Sequence, residues 1–222
     1  MQRQTAVVVG ATGLIGSQLV ELLLNDTDFS GVRVLARRPL SVSHPKLSAN
    51  IVAFDDYHLL KDKISTGHSL FCCVGTTQKK VKGDKAAYRK VDFDIPVNSA
   101  HAAIENGFKR YVLVSSVGAN ADSNNFYLKL KGEAEKAISK LPFESVHFFR
   151  PSVLLGNRAE FRFGEKIAQG SMQLLSFMFL GGLKKYKPIQ SKDVAKAMIA
   201  AAKKPSSGVQ VYEYDDIIEL AK

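Results

Sequence analysis

The first 36 residues constrain the chain more than anything that follows. Residues 5–9 (TAVVV) are short, apolar and β-branched, and a glycine stops them, which reads as a buried strand. GATGLIG follows, with Gly10, Gly13 and Gly16 three residues apart, then a helical pattern from Leu14 to Leu24 with Leu19, Leu22 and Leu23 on one face. Residues 32–36 (VRVLA) read as the next strand. Strand, glycine turn, helix and strand in this order form the first βαβ unit of a dinucleotide-binding fold. Gly10 lets the chain turn off the strand, Gly13 lets the backbone approach a pyrophosphate, and Gly16 lets helix and sheet pack closely. Free N–H groups at the helix start attract phosphate, so Gly10, Thr12, Gly13, Leu14, Ile15 and Gly16 are expected to line it.

The second strand ends in Ala36-Arg37-Arg38. A site built for NAD places an acid there for the ribose 2′-hydroxyl. Two guanidinium groups suit a phosphate instead, so Arg37 and Arg38 predict NADP (NADPH). The alternation continues with strands at 50–54 (NIVAF), 69–74 (SLFCCV), 111–114 (YVLV) and 145–149 (SVHFF), and with a helix that runs to Gly107 and begins or breaks near Pro96. Ligands of such sheets bind beyond the carboxyl ends of the strands. That places Asp55 near the adenine, and Val74, Gly75, Thr76 and Thr77 near the ribose and pyrophosphate. The expected class is α/β, a doubly wound parallel sheet (Rossmann fold). Residues 1–222 are read as one domain, with 151–222 adding a small substrate-side cap made of helices near 160–178 and 192–203 and a late strand at 209–214.

Bulk properties remove several alternatives. No apolar stretch reaches 18 residues, so no membrane span is expected. The densest run, residues 172–183, reads as a buried helix or subunit contact, with interfacial membrane binding as the alternative. The first apolar run, residues 6–9, is short and runs straight into glycines, so no secretion leader is expected. Cys72 and Cys73 are neighbours on a strand and point to opposite faces, which suits free thiols in a reducing cytoplasm rather than a disulfide. No Cys/His spacing suggests a metal. The net charge of +10 raises a nucleic-acid reading. The charges are scattered, however, and the denser patches at 79–85 and 184–187 do not alternate with aromatics. Attraction for an anionic small molecule explains them at least as well, and no specific nucleic-acid partner is expected.

Residues 126–135 (FYLKLKGEAE) place Tyr127 four positions before Lys131. The same spacing occurs at Tyr57 and Lys61, so spacing alone does not separate a proton-transfer pair from an ordinary helix face. Position does. Tyr57 follows the third strand, on the adenine side. Tyr127 follows the fifth strand, whose end carries Ser115 and Ser116, and it opens a helix that Asn124 or Asn125 can cap. Residues four apart share a helix face. Carbonyl reduction needs a hydride on carbon and a proton on oxygen. A phenol ordinarily ionises near pH 10, about three units above neutrality, and a nearby ammonium favours phenolate. A serine hydroxyl can hold the substrate oxygen, and the lysine can also bind the cofactor ribose.

With these residues in view the chain resembles a short-chain dehydrogenase/reductase, and more narrowly the atypical subgroup that includes the Tat-interacting-protein-like oxidoreductases. The resemblance covers nearly the whole chain. It rests on GATGLIG, Ala36-Arg37-Arg38, FCCVGTT (71–77), LVSSVGA (113–119), NFYLKLKGEAE (125–135) and FRPSVLLG (149–156). It implies a Ser-Tyr-Lys triad at Ser116, Tyr127 and Lys131, with Ser115 as the neighbouring candidate for the serine. Many reductases of this superfamily carry a Val-Asn pair before the fifth strand, where the asparagine supports a water-linked proton relay. Here the corresponding pair is Val91-Asp92, so Asp92 joins the candidate catalytic set. Arg150-Pro151 resembles the segment that passes near the nicotinamide. The implied activity is NADP(H)-dependent reduction of a carbonyl on a small-molecule substrate. The alternative is a non-catalytic NADPH-binding regulator acting through a protein partner. A homodimer is compatible with either.

Overall fold

Val7, Val8 and Val9 expose no surface, so the strand that carries them, β1 (Gln4–Val9), must have a layer on each side. The computed structural model, which describes residues 4–77, 81–156 and 181–222, places β1 inside a seven-stranded sheet, third from one edge. The other strands are β2 (Phe29–Ala36), β3 (Leu47–Ile51), β4 (Ser69–Cys72), β5 (Arg110–Val114), β6 (Ser145–Phe149) and β9 (Gly208–Tyr212). Every pairing in it is parallel, and the order is β3-β2-β1-β4-β5-β6-β9. The strand order reverses direction between β1 and β4, which is the switch point where such sheets open a crevice at their carboxyl edge. A two-residue ladder joins β7 (Leu154–Leu155) to β8 (Ile189–Gln190).

Alternate residues of each strand feed two cores. On one face Ala6, Val8, Phe71, Val112 and Phe149 meet α1 (Leu14–Asn25), α6 (Ser191–Lys203) and Ile217 of α7 (Tyr214–Leu220). On the other, Val7, Leu70, Cys72, Leu113 and Phe148 meet α2 (Tyr57–Ile64), α4 (Ile95–Glu105) and α5 (Phe126–Ile138). Cys72 and Cys73 are free thiols packed into opposite layers.

The doubly wound parallel class holds. Two elements differ from the sequence reading. The third strand lies at Leu47–Ile51 rather than 50–54. It is an edge strand whose residues are half or fully exposed, so the apolar run that follows it drew the assignment three residues late. Val52 is instead buried just past the strand, its N–H bonded to Ala36 O. The C-terminal part is also more deeply built in than a cap over the sheet. β6 is buried along its whole length, and its outer backbone groups need partners that only another strand supplies. β9 meets that need in register, from Ser145 opposite Gly208 to Phe149 opposite Tyr212, while α6 packs on α1. The helix expected near 160–178, most of the apolar run 172–183 and part of the basic patch 79–85 lie outside the described residues. Among the described residues no helix is long and apolar enough to cross a membrane.

β6 also carries a buried histidine. His147 has no exposed surface; its Nδ1 lies 3.0 Å from the Tyr212 hydroxyl and its Nε2 3.2 Å from Ser145 Oγ. Burial, reinforced by the Arg110 charge, pushes its pKa down to about 4 from an ordinary 6.5. The unfolded chain therefore binds a proton at a pH where the folded chain refuses it. The resulting stability is present above about pH 6.5 and is lost as pH falls towards about 4, a difference of up to about 3 kcal/mol. Urea unfolding across that window should show the decline, and His147→Gln should flatten it. An unchanged slope in His147→Gln would assign the decline to carboxylates alone.

Candidate functional site

The carboxyl edge of the sheet gathers most of the residues singled out above. Gly10 turns off β1 at φ +90, and a Cβ there would stand 2.7 Å from both Cys73 C and Val74 N. Only glycine allows the first turn to lie against the end of β4. A Cβ on Gly16 would stand 2.2 Å from Gly10 O, so α1 starts directly on that turn. Gly13 is the N-cap of α1 and offers no side-chain cap, and the first turn carries no acidic residue. The first helical N–H to find a partner of this kind is that of Ser17, bonded to Gly13 O. The N–H groups of Leu14, Ile15 and Gly16 precede the helical ladder and are open to an acceptor from outside. A helix start with a glycine N-cap, no side-chain cap and no acidic residue in its first turn fits a pyrophosphate. Thr12 is exposed beside it.

Arg37 and Arg38 follow β2 directly. Both are exposed and neither has an ion-pair partner among the described residues. Asp55 lies past the end of β3, largely in solvent, paired with Lys90 at 3.3 Å. A backbone hydrogen bond and then Lys90 hold its carboxyl below the usual carboxylate range.

Val74, Gly75, Thr76 and Thr77 leave β4 as a half-buried loop. Its shape is set from the next helix pair. The Thr76 N–H donates to Asp92 Oδ2 at 2.9 Å, and the Tyr88 hydroxyl donates to Thr76 O at 3.3 Å. Asp92 sits on a π-helical turn, Lys90–Asp94, wedged between α3 (Lys85–Arg89) and α4. Such widened turns recur at functional sites. This one delivers a carboxylate that is 1 % exposed.

The α5 helix arrives from the other side. Asn125 caps it, its Oδ1 accepting from Tyr127 N at 3.0 Å and Leu128 N at 3.2 Å. Lys131 is 3 % exposed. Its Nζ lies 2.9 Å from Asp92 Oδ1 and donates to Val114 O, at the end of β5, at 3.5 Å. Burial pushes Lys131 towards the neutral amine, but the Asp92 carboxylate and then Tyr127 more than offset it and hold its pKa above the ordinary lysine value. Asp92 Oδ1 lacks a hydrogen bond of good alignment, so its contact with the ammonium is chiefly Coulombic. Tyr127 is half-buried, one turn before Lys131, with the Tyr88 ring edge-on at 6.1 Å.

The two serines differ. Ser115 extends β5, its N–H bonded to Phe149 O at 2.7 Å, and its Oγ is buried with no partner among the described residues. Strand alternation from Tyr111 and Leu113 places it on the face that α5 covers. Ser116 is half-buried in the loop beyond, its hydroxyl 3.4 Å from Val117 O. Pro151 holds that loop, accepting from Val117 N at 3.1 Å. Arg150 is the exception in the set. Its guanidinium is committed to Glu135 of α5 through two contacts, Nε to Oε1 at 3.0 Å and a shorter one to Oε2, so the structure does not bring its charge to the others.

The second tyrosine–lysine pair behaves differently. The Tyr57 hydroxyl donates to Glu105 Oε1 at 2.7 Å, and Lys61 pairs with the same carboxylate. Burial, then Glu105, pushes the Tyr57 pKa up to about 12, the wrong direction for a phenol that must give up a proton.

Three participants escaped the sequence reading. Tyr88 braces both the β4 loop and Tyr127. Glu135 occupies Arg150. Gly132, next to Lys131, lets the 119–121 loop lie on α5, since a Cβ there would meet Ala121 N and Asn120 C at 2.2 Å. A glycine inside an otherwise helical run was the one signal for it. Among the described residues no group of three His, Cys, Asp or Glu side chains could hold a metal.

Known proteins resemble this chain in sequence and in fold. Residues 10–159 match the NAD(P)H-binding family. The mitochondrial protein FMP52 of Candida albicans is 35% identical over 224 residues, covering 96% of each chain. HTATIP2 of Rattus norvegicus is 32% identical over 227 residues, covering 100% of this chain and 91% of its own. Among solved structures, uronate dehydrogenase from Agrobacterium tumefaciens superposes with a TM-score of 0.70 at 15% identity, over 95% of this chain and 76% of that one. The Bordetella bronchiseptica enzyme WbmH, solved in complex with NAD+, gives 0.69 at 17% identity, over 95% and 75%. At these identities the likeness of the solved structures is one of fold.

Proposed function

Since the chain belongs to the NAD(P)H-binding family, in the atypical short-chain dehydrogenase/reductase group with HTATIP2 and FMP52, we propose that it uses NADPH to reduce the carbonyl of a small molecule. The observation that carries this reading is a buried ammonium, Lys131, one helical turn from Tyr127 at the carboxyl ends of β4 and β5. NADPH, when bound, supplies the hydride. The chain supplies the rest. The N–H groups of Leu14, Ile15 and Gly16 hold the pyrophosphate, and Arg37 and Arg38 hold the 2′-phosphate. Asp55 lies towards the adenine, and the Val74–Thr77 loop towards the ribose. Lys131 supports the ribose and stabilises negative charge on the Tyr127 oxygen, which gives its proton to the carbonyl oxygen. Ser116 orients that oxygen, being the serine with exposed surface, and buried Ser115 lines the floor beneath. Pro151 keeps the serine loop in place.

The competing reading, an NADPH-binding regulator that acts through a protein partner, draws support from Asp92, whose charge stands where many reductases carry a neutral asparagine. The scattered +10 charge is read as attraction for an anionic cofactor rather than as a nucleic-acid surface. The free thiols suit a reducing compartment, and we place the protein in the cytoplasm on that ground. The fungal relatives carry a mitochondrial designation, and fractionation of the native host decides between the two.

Two experiments test the proposal. Titrating both cofactors should show tighter NADP than NAD, since each charged hydrogen bond to the phosphate contributes about 1.5–3 kcal/mol. Arg37→Ala/Arg38→Ala should weaken NADP far more than NAD. Equal affinity in the unaltered protein would remove the NADP assignment. Against a panel of aldehydes and ketones, with NADPH oxidation as readout, Tyr127→Phe should keep cofactor affinity and lose about 10²–10⁴-fold in rate. Turnover that survives Tyr127→Phe would refute the proton-transfer role, and no turnover in either protein would favour the regulator.

A further inference from the structure

Asp92 and Lys131 are 39 positions apart in sequence, yet each is the other's only charged neighbour within ion-pair distance among the described residues. Both are almost wholly shielded from water. The two oxygens of Asp92 serve two different elements: Oδ2 takes the Thr76 N–H of the loop that leaves β4, and Oδ1 faces the ammonium on α5. A local π-helical turn breaks the α3–α4 run at the place where this carboxylate enters. A buried cation stripped of its counter-charge is strongly disfavoured, so the lysine depends on this one group.

From this geometry we propose that Asp92 is a positioning residue: it holds Lys131 as an ammonium against the end of β5 and ties it to the Thr76 loop, so that cofactor seating and proton transfer share one rigid support. The inference rests on the reading that Lys131 meets the cofactor ribose. Its role differs from that of an asparagine in a water-linked relay, because the contact is a direct ion pair. The titratable groups that face Lys131 are Asp92 from the π turn, Tyr127 from its own helix and Cys72 from β4. Burial keeps the Cys72 thiol neutral, so Asp92 supplies the counter-charge. Removing that charge weakens the lysine's hold on its proton. The alkaline loss of the lysine's ammonium, and of whatever depends on it, then comes at a lower pH.

Asp92→Asn isolates the charge, because an amide oxygen can still accept from Thr76 N. NADPH affinity, followed by fluorescence titration at about pH 7 and about pH 9, should change little in the unaltered protein and in Asp92→Glu. In Asp92→Asn it should fall clearly between those two pH values, about tenfold for each pH unit above the point at which the uncompensated lysine gives up its proton. On any carbonyl compound that is turned over, the alkaline limb of the rate profile should move to lower pH in Asp92→Asn and stay in place in Asp92→Glu. The same pH dependence in Asp92→Asn as in the unaltered protein, with affinity lowered uniformly, would reduce Asp92 to a structural residue and overturn the proposal. Where Asp92→Asn alone does not fold, Asp92→Asn/Lys131→Met, which leaves no unpaired charge, carries the test. It should bind NADPH as Lys131→Met does, and weaker binding would mean that Asp92 acts through something other than the lysine. The titrations require no turnover, so a protein without reductase activity still decides the point.

Discussion

Gly16 has no room for a side chain, and the rest of the site follows from that. The helix α1 begins directly on the turn that leaves β1, and Gly10 in that turn lies against the end of β4. Three backbones meet where the sheet reverses its order. A helix start so placed has N–H groups with no helical partner of their own, and its N-cap is a glycine that brings no side-chain cap. It leaves an anion as the natural occupant. The same contact fixes where β4 ends, hence where Thr76 lies and where Asp92 must reach to bind it.

The second constraint is electrostatic. A lysine buried between α5 and the ends of β4 and β5 is costly unless a counter-charge comes with it. The chain brings one from a π-helical turn and then spends the remaining carboxylate oxygen on the adjacent loop. Tyr88, itself buried, repeats the link, bonding Thr76 O and packing edge-on against Tyr127. The loop that leaves β4 and the helix that carries Tyr127 are therefore joined twice, once by charge and once by an aromatic ring. Lys61 and Tyr57 show what the same spacing does without such a setting. They share a surface glutamate, and the phenol becomes harder to ionise.

Much of this was legible in the sequence because buried parallel strands are continuous apolar runs and because glycines at a crowded turn leave a fixed spacing. TAVVV, YVLV and SVHFF read directly as strands for that reason. Leu47–Ile51 did not, since an edge strand facing solvent needs no apolar run. The last strand was legible as a strand but not as a sheet member, because the need it meets belongs to β6. Asp92 came into view only as a departure from a resembling pattern. Its partners at Thr76 and Lys131, like the Glu135 that occupies Arg150, are choices made by tertiary packing, and no local period encodes them. Ser115 and Ser116 were equal in sequence. The strand's alternation separates them, sending one into the layer beneath α5 and leaving the other in the loop.

The central claim is that the crevice at the reversal of strand order holds a dinucleotide across the α1 start, the end of β2 and the β4 loop. Hydrogen–deuterium exchange with and without NADPH tests it most directly, since it reads backbone amides one segment at a time. The account predicts slowed exchange at residues 13–16, at the segment after Ala36 and at Gly75–Thr77, with the opposite edge of the sheet unchanged. Protection confined to other segments, with the α1 start unaffected by saturating NADPH, would contradict it.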